Sequence, residues 1–307
     1  MPDPSRLDAG EGLGGWRHDP TVNYLMAAKP GIVIGNAVST AGAFLMAAKG
    51  GIDIGLLLAT VLGVSLAVAS GCVFNNCIDR DVDRKMTRTR SRVLARGLMS
   101  PRAAVFYALL LGIAGIGVLY KATNLLCLSI VLVGLAIYVG AYSLGLKRRS
   151  VNAVLIGSLA GAAPPLAGYC AVTARFDLGA LILLVFFSVW QIPHAHAIAV
   201  YRRQDFAAAG LPVLTVIRGV SVAKRHILIS IVVFTGAAMM PTAAGYTGMR
   251  FLIVAASLGL VWLAMAWQGL RTTDDRRWAK RQFIFSIVSI TVLSAMMAVD
   301  FTPAAGL

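Results

Sequence analysis

Charge is what this chain has least of. Charged residues make up 13% of its 307 positions, against about 25% in a typical soluble domain, and acids are scarcer than bases, 13 against 28. With a mean hydropathy of +0.77 and 58% hydrophobic residues, that shortage excludes an ordinary soluble enzyme and points to a polytopic membrane protein. Cysteine is also sparse. Cys72, Cys77, Cys127 and Cys170 all lie in or at the end of apolar runs and none forms a Cys-x-x-Cys pair, so small buried thiols are expected and no structural disulfide. There is no strong internal repeat, only a faint echo where the second and sixth apolar runs both end in acids followed by a loop. The first apolar run starts too late, and without a cleavage-site pattern, to be a signal peptide. Asp3, Asp8 and Glu11 argue against an organelle transit peptide. A bacterial inner membrane is the expected location.

What is abundant is long apolar sequence. Nine segments reach the length of about 20 residues that spans a bilayer: 31–48, 52–77, 102–120, 123–145, 151–172, 178–200, 226–246, 249–270 and 282–302. They are continuously apolar rather than alternating, which predicts helices and not barrel strands. The expected fold is all-α, a nine-helix transmembrane domain over 23–307. Residues 1–22, polar and rich in Gly, Asp and Pro, are expected to form a disordered cytoplasmic tail.

A net charge of +15 raises the possibility of a nucleic-acid partner, and its distribution answers it. If the connections alternate between the two faces, only Lys49, Lys121, Arg175 and Arg250 of the 28 basic residues fall on one side. The other side is therefore cytoplasmic, with the N-terminus inside, the C-terminus outside and no nucleic-acid partner. Small residues such as Gly63, Gly71, Gly157, Gly161 and Ala195 inside the spans suit close helix packing.

The acids that remain are concentrated. Asn75, Asp79 and Asp83 are spaced by four and share one helical stripe. Two carboxylates one turn apart repel, and at a membrane boundary they are costly enough to imply function. Hard cations such as Mg²⁺ take oxygen ligands, so the stripe is a candidate metal site; the competing reading is a solvated helix end paired with the arginines that follow. Asp81 falls off the stripe and is expected to pair with Arg80 or Lys85. Positive-inside topology explains most of the arginines from Arg84 to Arg96. Arg88 and Arg92, four apart and near the acids, are the better diphosphate ligands, because guanidinium binds phosphate bidentately.

Further candidates lie at the same face. Tyr142 precedes Lys147, Arg148 and Arg149 at the end of the fourth span, and Lys147 suits a leaving phosphate. Lys29 precedes Pro30, with Asn36 one to two turns inside the first span. Trp190-Gln191-Ile192-Pro193-His194-Ala195-His196 places polar groups and a proline inside the sixth span, followed by Tyr201, Arg202 and Asp205. His194 and His196 point ~200° apart on a regular helix, so at most one faces a cavity; either can instead make an interhelical hydrogen bond. Asp205 lies on the same face as the first acids and can complete a two-metal site.

Together these residues resemble the intramembrane prenyltransferase superfamily of the UbiA type, whose first acidic motif matches Asn75-x-x-x-Asp79-x-x-x-Asp83. Within it, the branch that farnesylates protohaem IX is similar over nearly the whole chain after the tail. The matching stretches are Lys29-Pro30-Gly31-Ile32, Leu146 to Ser150, Gly161 to Tyr169, Trp190 to His194, and Asp205 to Leu214. Three departures stand out. The second motif, commonly two aspartates four apart, here reads Tyr201-Arg202-Arg203-Gln204-Asp205 with one acid. The tyrosine-to-lysine spacing after the fourth span is five rather than the four of some relatives. Val93 stands where a proline often follows the basic loop.

The resemblance implies farnesyl diphosphate as donor, haem b as acceptor and Mg²⁺ as cofactor. Asn75, Asp79, Asp83 and Asp205 would hold the metal. Lys29, Asn36, Arg88, Arg92, Lys147, Arg148 and Arg202 would bind diphosphate, with Asp79, Asp83, Lys147 and Arg88 catalytic. Trp190, Gln191, His194, His196, Tyr142 and Tyr201 would bind the acceptor. It also implies the lipid bilayer as surroundings and haem A synthase or terminal-oxidase assembly as partners. The rival readings are a relative with an aromatic quinone-precursor acceptor, a transporter, and a non-catalytic oxidase assembly factor.

Overall fold

The structure, a computed structural model, describes residues 19–302. Among these residues there are nine helices long and apolar enough to cross a membrane and no strand beyond an isolated bridge between Thr247 and Phe301; the protein is integral to the membrane. In chain order the helices are α1 (Pro20–Ala27), α2 (Pro30–Ala48), α3 (Ile54–Ile78), α4 (Arg80–Lys85), α5 (Pro101–Ala122), α6 (Leu125–Ala136), α7 (Ala153–Thr173), α8 (Leu178–Tyr201), α9 (Arg203–Ala208), α10 (Leu214–Ile217), α11 (Val220–Ala243), α12 (Met249–Gly269) and α13 (Asp275–Val299). Helix α6 runs on as a π-helix over Ile137–Leu146.

Short polar side chains start these helices by accepting from free backbone N–H groups. Asp53 caps α3 through Leu56 N at 2.9 Å, Ser100 caps α5 through Ala103 N at 3.1 Å, and Asp274 caps α13 through Arg277 N at 2.9 Å. Helix α7 is the hub, packing on α2, α3, α6 and α8. Its small residues allow this, since lipid gives helices no hydrophobic reason to associate and close van der Waals approach must do so. At Gly168 an added Cβ would strike the Thr40 carbonyl of α2, and at Gly134 of α6 it would strike Ala163. All four cysteines are free thiols.

Three expectations need correction. Residues 20–22 are not part of a disordered tail but open α1, capped by Asp19 through Thr21 N at 2.8 Å; residues 1–18 of that tail lie outside the described residues. The seventh and ninth spans begin at Val220 and Asp275 instead of 226 and 282. Lys224, Arg225, Arg276, Arg277, Lys280 and Arg281 interrupt an apolar count, yet the helices run through them: Arg225, Arg276, Arg277, Lys280 and Arg281 are exposed and carry their charge outward, while Lys224 is buried and pairs with Asp275.

Candidate active site

The acidic stripe survives a break in its helix. Helix α3 ends at Ile78 and α4 begins at Arg80, with Asp79 between them at φ −90°, ψ 6°. The backbone keeps its four-residue register across the joint: Asp79 N donates to Asn75 O at 2.9 Å and Asp83 N to Asp79 O at 2.7 Å. Asn75, Asp79 and Asp83 are all buried.

Each member of the stripe holds a basic residue brought from elsewhere. Lys29 Nζ donates to Asn75 Oδ1 at 2.7 Å, and Asn75 Nδ2 donates to Asp79 Oδ2 at 2.7 Å and to Ser143 Oγ at 3.2 Å. Lys147 pairs with Asp79 Oδ2. Arg92 Nη1 lies 2.9 and 2.8 Å from the two oxygens of Asp83. Lys29 reaches inward from a left-handed backbone at φ 56°, a conformation of cost for a non-glycine residue that recurs at functional sites. Its burial, together with Arg92 and Lys147 nearby, pushes the ammonium down to about 8.

The π-helix sets the far wall. Lys147 N donates to Tyr142 O at 2.9 Å, an i→i−5 bond that absorbs the five-residue tyrosine-to-lysine spacing. Tyr138 and Tyr142 stack at 6.2 Å, and the Lys147 ammonium lies 5.9 Å from the Tyr142 ring centre. π-Helical turns are rare and recur at functional sites. Here the turn carries Ser143 to Asn75 and Lys147 to Asp79.

Other candidates fall elsewhere. Asp81 pairs with neither Arg80 nor Lys85; Arg148 grips it with Nη1 and Nη2 at 2.9 and 2.7 Å, because Arg80 and Arg84 point to the Leu94 and Ala95 carbonyls of the basic loop. Asn36 turns onto its own helix, donating to Ile32 O at 2.8 Å. Asp205 accepts from Thr87 N at 2.8 Å and lies 4.0 Å from Arg202, so it is tied to the loop after Asp83 and not to the stripe. Arg88 sits in that loop, and burial with Arg92 and Arg202 nearby pushes it down. Gln191 Nε2 donates to Ser158 O at 3.1 Å. His194 faces α13 and His196 faces His226 of α11 at 5.8 Å. Tyr201 packs under Arg202 at 4.2 Å. Sequence reasoning missed Ser143 and Thr89, whose Oγ1 donates to Asp83 O at 3.1 Å; a lone serine beside Tyr142 in an apolar run was the available signal.

The site's chemistry fits a hard cation. Its donors are all oxygen, and Asp79 Oδ1 is buried with no hydrogen-bond partner, with Arg148 Nη2 3.9 Å away. The fit is not complete. Among the described residues no three of His, Cys, Asp and Glu converge on one point, and Asn75 Oδ1 is taken by Lys29.

Residues 36–288 match the UbiA prenyltransferase family. A protohaem IX farnesyltransferase of Photorhabdus laumondii is 56% identical over 277 residues, covering 90% of this chain and 94% of the relative. One of Pseudomonas syringae pv. syringae is 56% identical over 279 residues, covering 91% and 95%. Among solved structures, a UbiA homolog from Archaeoglobus fulgidus bound to GPP and Mg²⁺ superposes with TM-score 0.68 at 16% identity, covering 90% of this chain and 99% of that one. A structure of digeranylgeranylglyceryl phosphate synthase superposes with TM-score 0.73 at 17% identity, covering 90% and 96%.

Proposed function

The chain belongs to the UbiA prenyltransferase family, and on that premise we propose that it transfers the farnesyl group of farnesyl diphosphate to a vinyl group of haem b, giving a hydroxyethylfarnesyl side chain. The reading is supported by relatives named for farnesyl transfer to protohaem IX at 56% identity. The observation that carries the site is Asp79: a buried carboxylate with Asn75 and Lys147 on one oxygen, no hydrogen-bond partner on the other and Arg148 3.9 Å away, flanked on its stripe by Asn75, which holds Lys29, and Asp83, which holds Arg92.

Lys29, Arg92, Lys147 and Arg148 bind the diphosphate and hold positive charge where negative charge grows as its bond to the allylic carbon breaks. Arg88 and Arg202 extend that surface along the loop. Asp79 and Asp83 would hold Mg²⁺, which when bound would supply Lewis-acid polarisation of the diphosphate; Asn75 Oδ1 is engaged by Lys29, and Asp205 by Thr87 N and Arg202. Tyr138 and Tyr142 present aromatic faces beside the site, and the apolar helices exclude water from the allylic cation until the vinyl carbon attacks. Water then adds to the resulting cation and loses a proton. The basic end of the bundle faces the cytoplasm of a bacterial inner membrane, with the N-terminus inside.

The test is product analysis by mass on detergent-purified protein with farnesyl diphosphate, haem b and Mg²⁺. A farnesylated, hydrated haem formed by wild type and lost in Asp79→Asn supports the reading. Farnesyl diphosphate binding without product on haem, and product on an aromatic acceptor, overturns the acceptor assignment.

A further inference from the structure

Asn76 follows Asn75 in α3 and points away from the stripe, since consecutive helical residues are turned by ~100°. It is 3% exposed, and its Nδ2 donates to the Ala27 carbonyl at 2.8 Å. Ala27 is the last residue of α1, and its carbonyl is one of those a helix leaves without a partner at its C-terminal end. The amide fits one way round, because an Oδ1 turned toward that carbonyl would set acceptor against acceptor. The other half of the amide gains nothing: Oδ1 is buried with no hydrogen-bond partner. A half-satisfied amide in a packed interior costs stability and calls for a reason.

The reason lies two residues beyond Ala27. Lys29 joins α1 to α2 in a left-handed backbone at φ 56°, which a lysine holds only where its surroundings over-determine it. Lys29 N donates to Met26 O at 3.2 Å, and Lys29 O accepts from Ile32 N at 2.9 Å. Ala27 and Ala28 are sunk in one apolar cluster with Val73 of α3 and with Val93 and Leu94 of the basic loop. Apolar contact is non-directional; the hydrogen bond from Asn76 adds the directional tie between α1 and α3. Adjacent asparagines thus hold Lys29 from two sides, Asn75 by its ammonium at 2.7 Å and Asn76 by the main chain that carries it.

We propose that Asn76 is a positioning residue: through the Ala27 carbonyl it sets the joint between α1 and α2, and with it the place where the Lys29 ammonium meets the donor's diphosphate. The proposal rests on the reading of Lys29 as a diphosphate ligand. A lysine is a point charge on a flexible stem that does not aim itself, so the joint must aim it. Arg92 is seated separately, by both oxygens of Asp83, and loss of the Asn76 tie therefore falls on Lys29. A misplacement of about 1 Å at such a contact can cost up to ~10²-fold in rate.

The test is a double-mutant cycle on the full-length protein in detergent with farnesyl diphosphate, haem b and Mg²⁺, pairing Asn76→Leu with Lys29→Gln. Asn76→Leu removes the donor at similar volume. It should lower kcat/KM for farnesyl diphosphate about tenfold or more and weaken inhibition by inorganic diphosphate by a like factor, with the KM for haem b unchanged. In the Lys29→Gln background the same substitution should cost less than about twofold, because the group it positions is gone. Should Asn76→Leu fail to fold, Asn76→Ser, too short to reach Ala27, is read by the same cycle. Wild-type kinetics in the Asn76 variant overturn the proposal. So do losses that multiply across the two backgrounds, or a fall in kcat with both KM values unchanged, since either assigns Asn76 to the fold alone. Lys29→Gln at the wild-type kcat/KM overturns the reading of Lys29 itself, and the role of Asn76 with it.

Discussion

Gln191 lies with its side-chain amide directly over Gly161, where any Cβ would collide with it, and donates to the Ser158 carbonyl one turn earlier. The Gly161-to-Tyr169 and Trp190-to-His194 stretches are thus one packed unit between α7 and α8. Gly161→Ala should overpack that unit and lower stability by about 1–3 kcal/mol, read as a fall in the unfolding temperature in detergent. Gly161→Ala with Gln191→Ala should recover most of the loss. Equal destabilisation by the single and double variants would rule out this contact as the cause.

Much of the molecule was legible from residue order, because in a membrane hydropathy and loop charge determine the spans and their alternation. The stripe was legible because four-residue spacing persists across the bend at Asp79. Partnerships across long sequence separation were not. Asp81 has basic neighbours at Arg80 and Lys85, yet pairs with Arg148, 67 residues away. The π-helix was visible only as a five-residue spacing, and nothing local announces that Ser143 meets Asn75 or that Ser286 meets His194.

Asp79 and Lys147 form a buried pair, so removing either partner leaves a charge without compensation. Asp79→Asn should abolish activity by at least about 10²-fold, and Lys147→Met should reduce both activity and thermal stability. Chelating Mg²⁺ should stop wild-type turnover, and readdition should restore it. Full activity in chelator would remove the metal from the site.

Asp81 and Asp83 are two residues apart and predict opposite outcomes. Asp81 is 63% exposed at its side chain and its ion pair faces solvent, and exposed pairs contribute about 0–1 kcal/mol. Asp81→Asn should change stability and turnover little, although Arg148 holds its carboxyl below the usual range. Asp83, 4% exposed and gripped by Arg92, should lose about 10²-fold in activity as Asn. Parallel kinetics on the two variants decide the point, and equal effects would contradict the geometry.

Lys29 predicts how the site responds to pH. Burial, Arg92 and Lys147 push it down from 10.5 to about 8, so in the free protein it is charged below that value and neutral above it. A diphosphate favours the charged form, so above about 8 binding requires proton uptake. The kcat/KM for farnesyl diphosphate should then fall toward tenfold per pH unit. Lys29→Arg should flatten this limb, since guanidinium stays charged, while Lys29→Gln should lower the plateau and remove the break. The sign for stability follows from the same shift. Between about 8 and 10.5 the unfolded chain holds a proton that the folded protein has lost, so this group's contribution to stability rises with pH across that window, and its burial cost is full below it. A kcat/KM limb near 8 that persists unchanged in Lys29→Arg would assign the titration to another group.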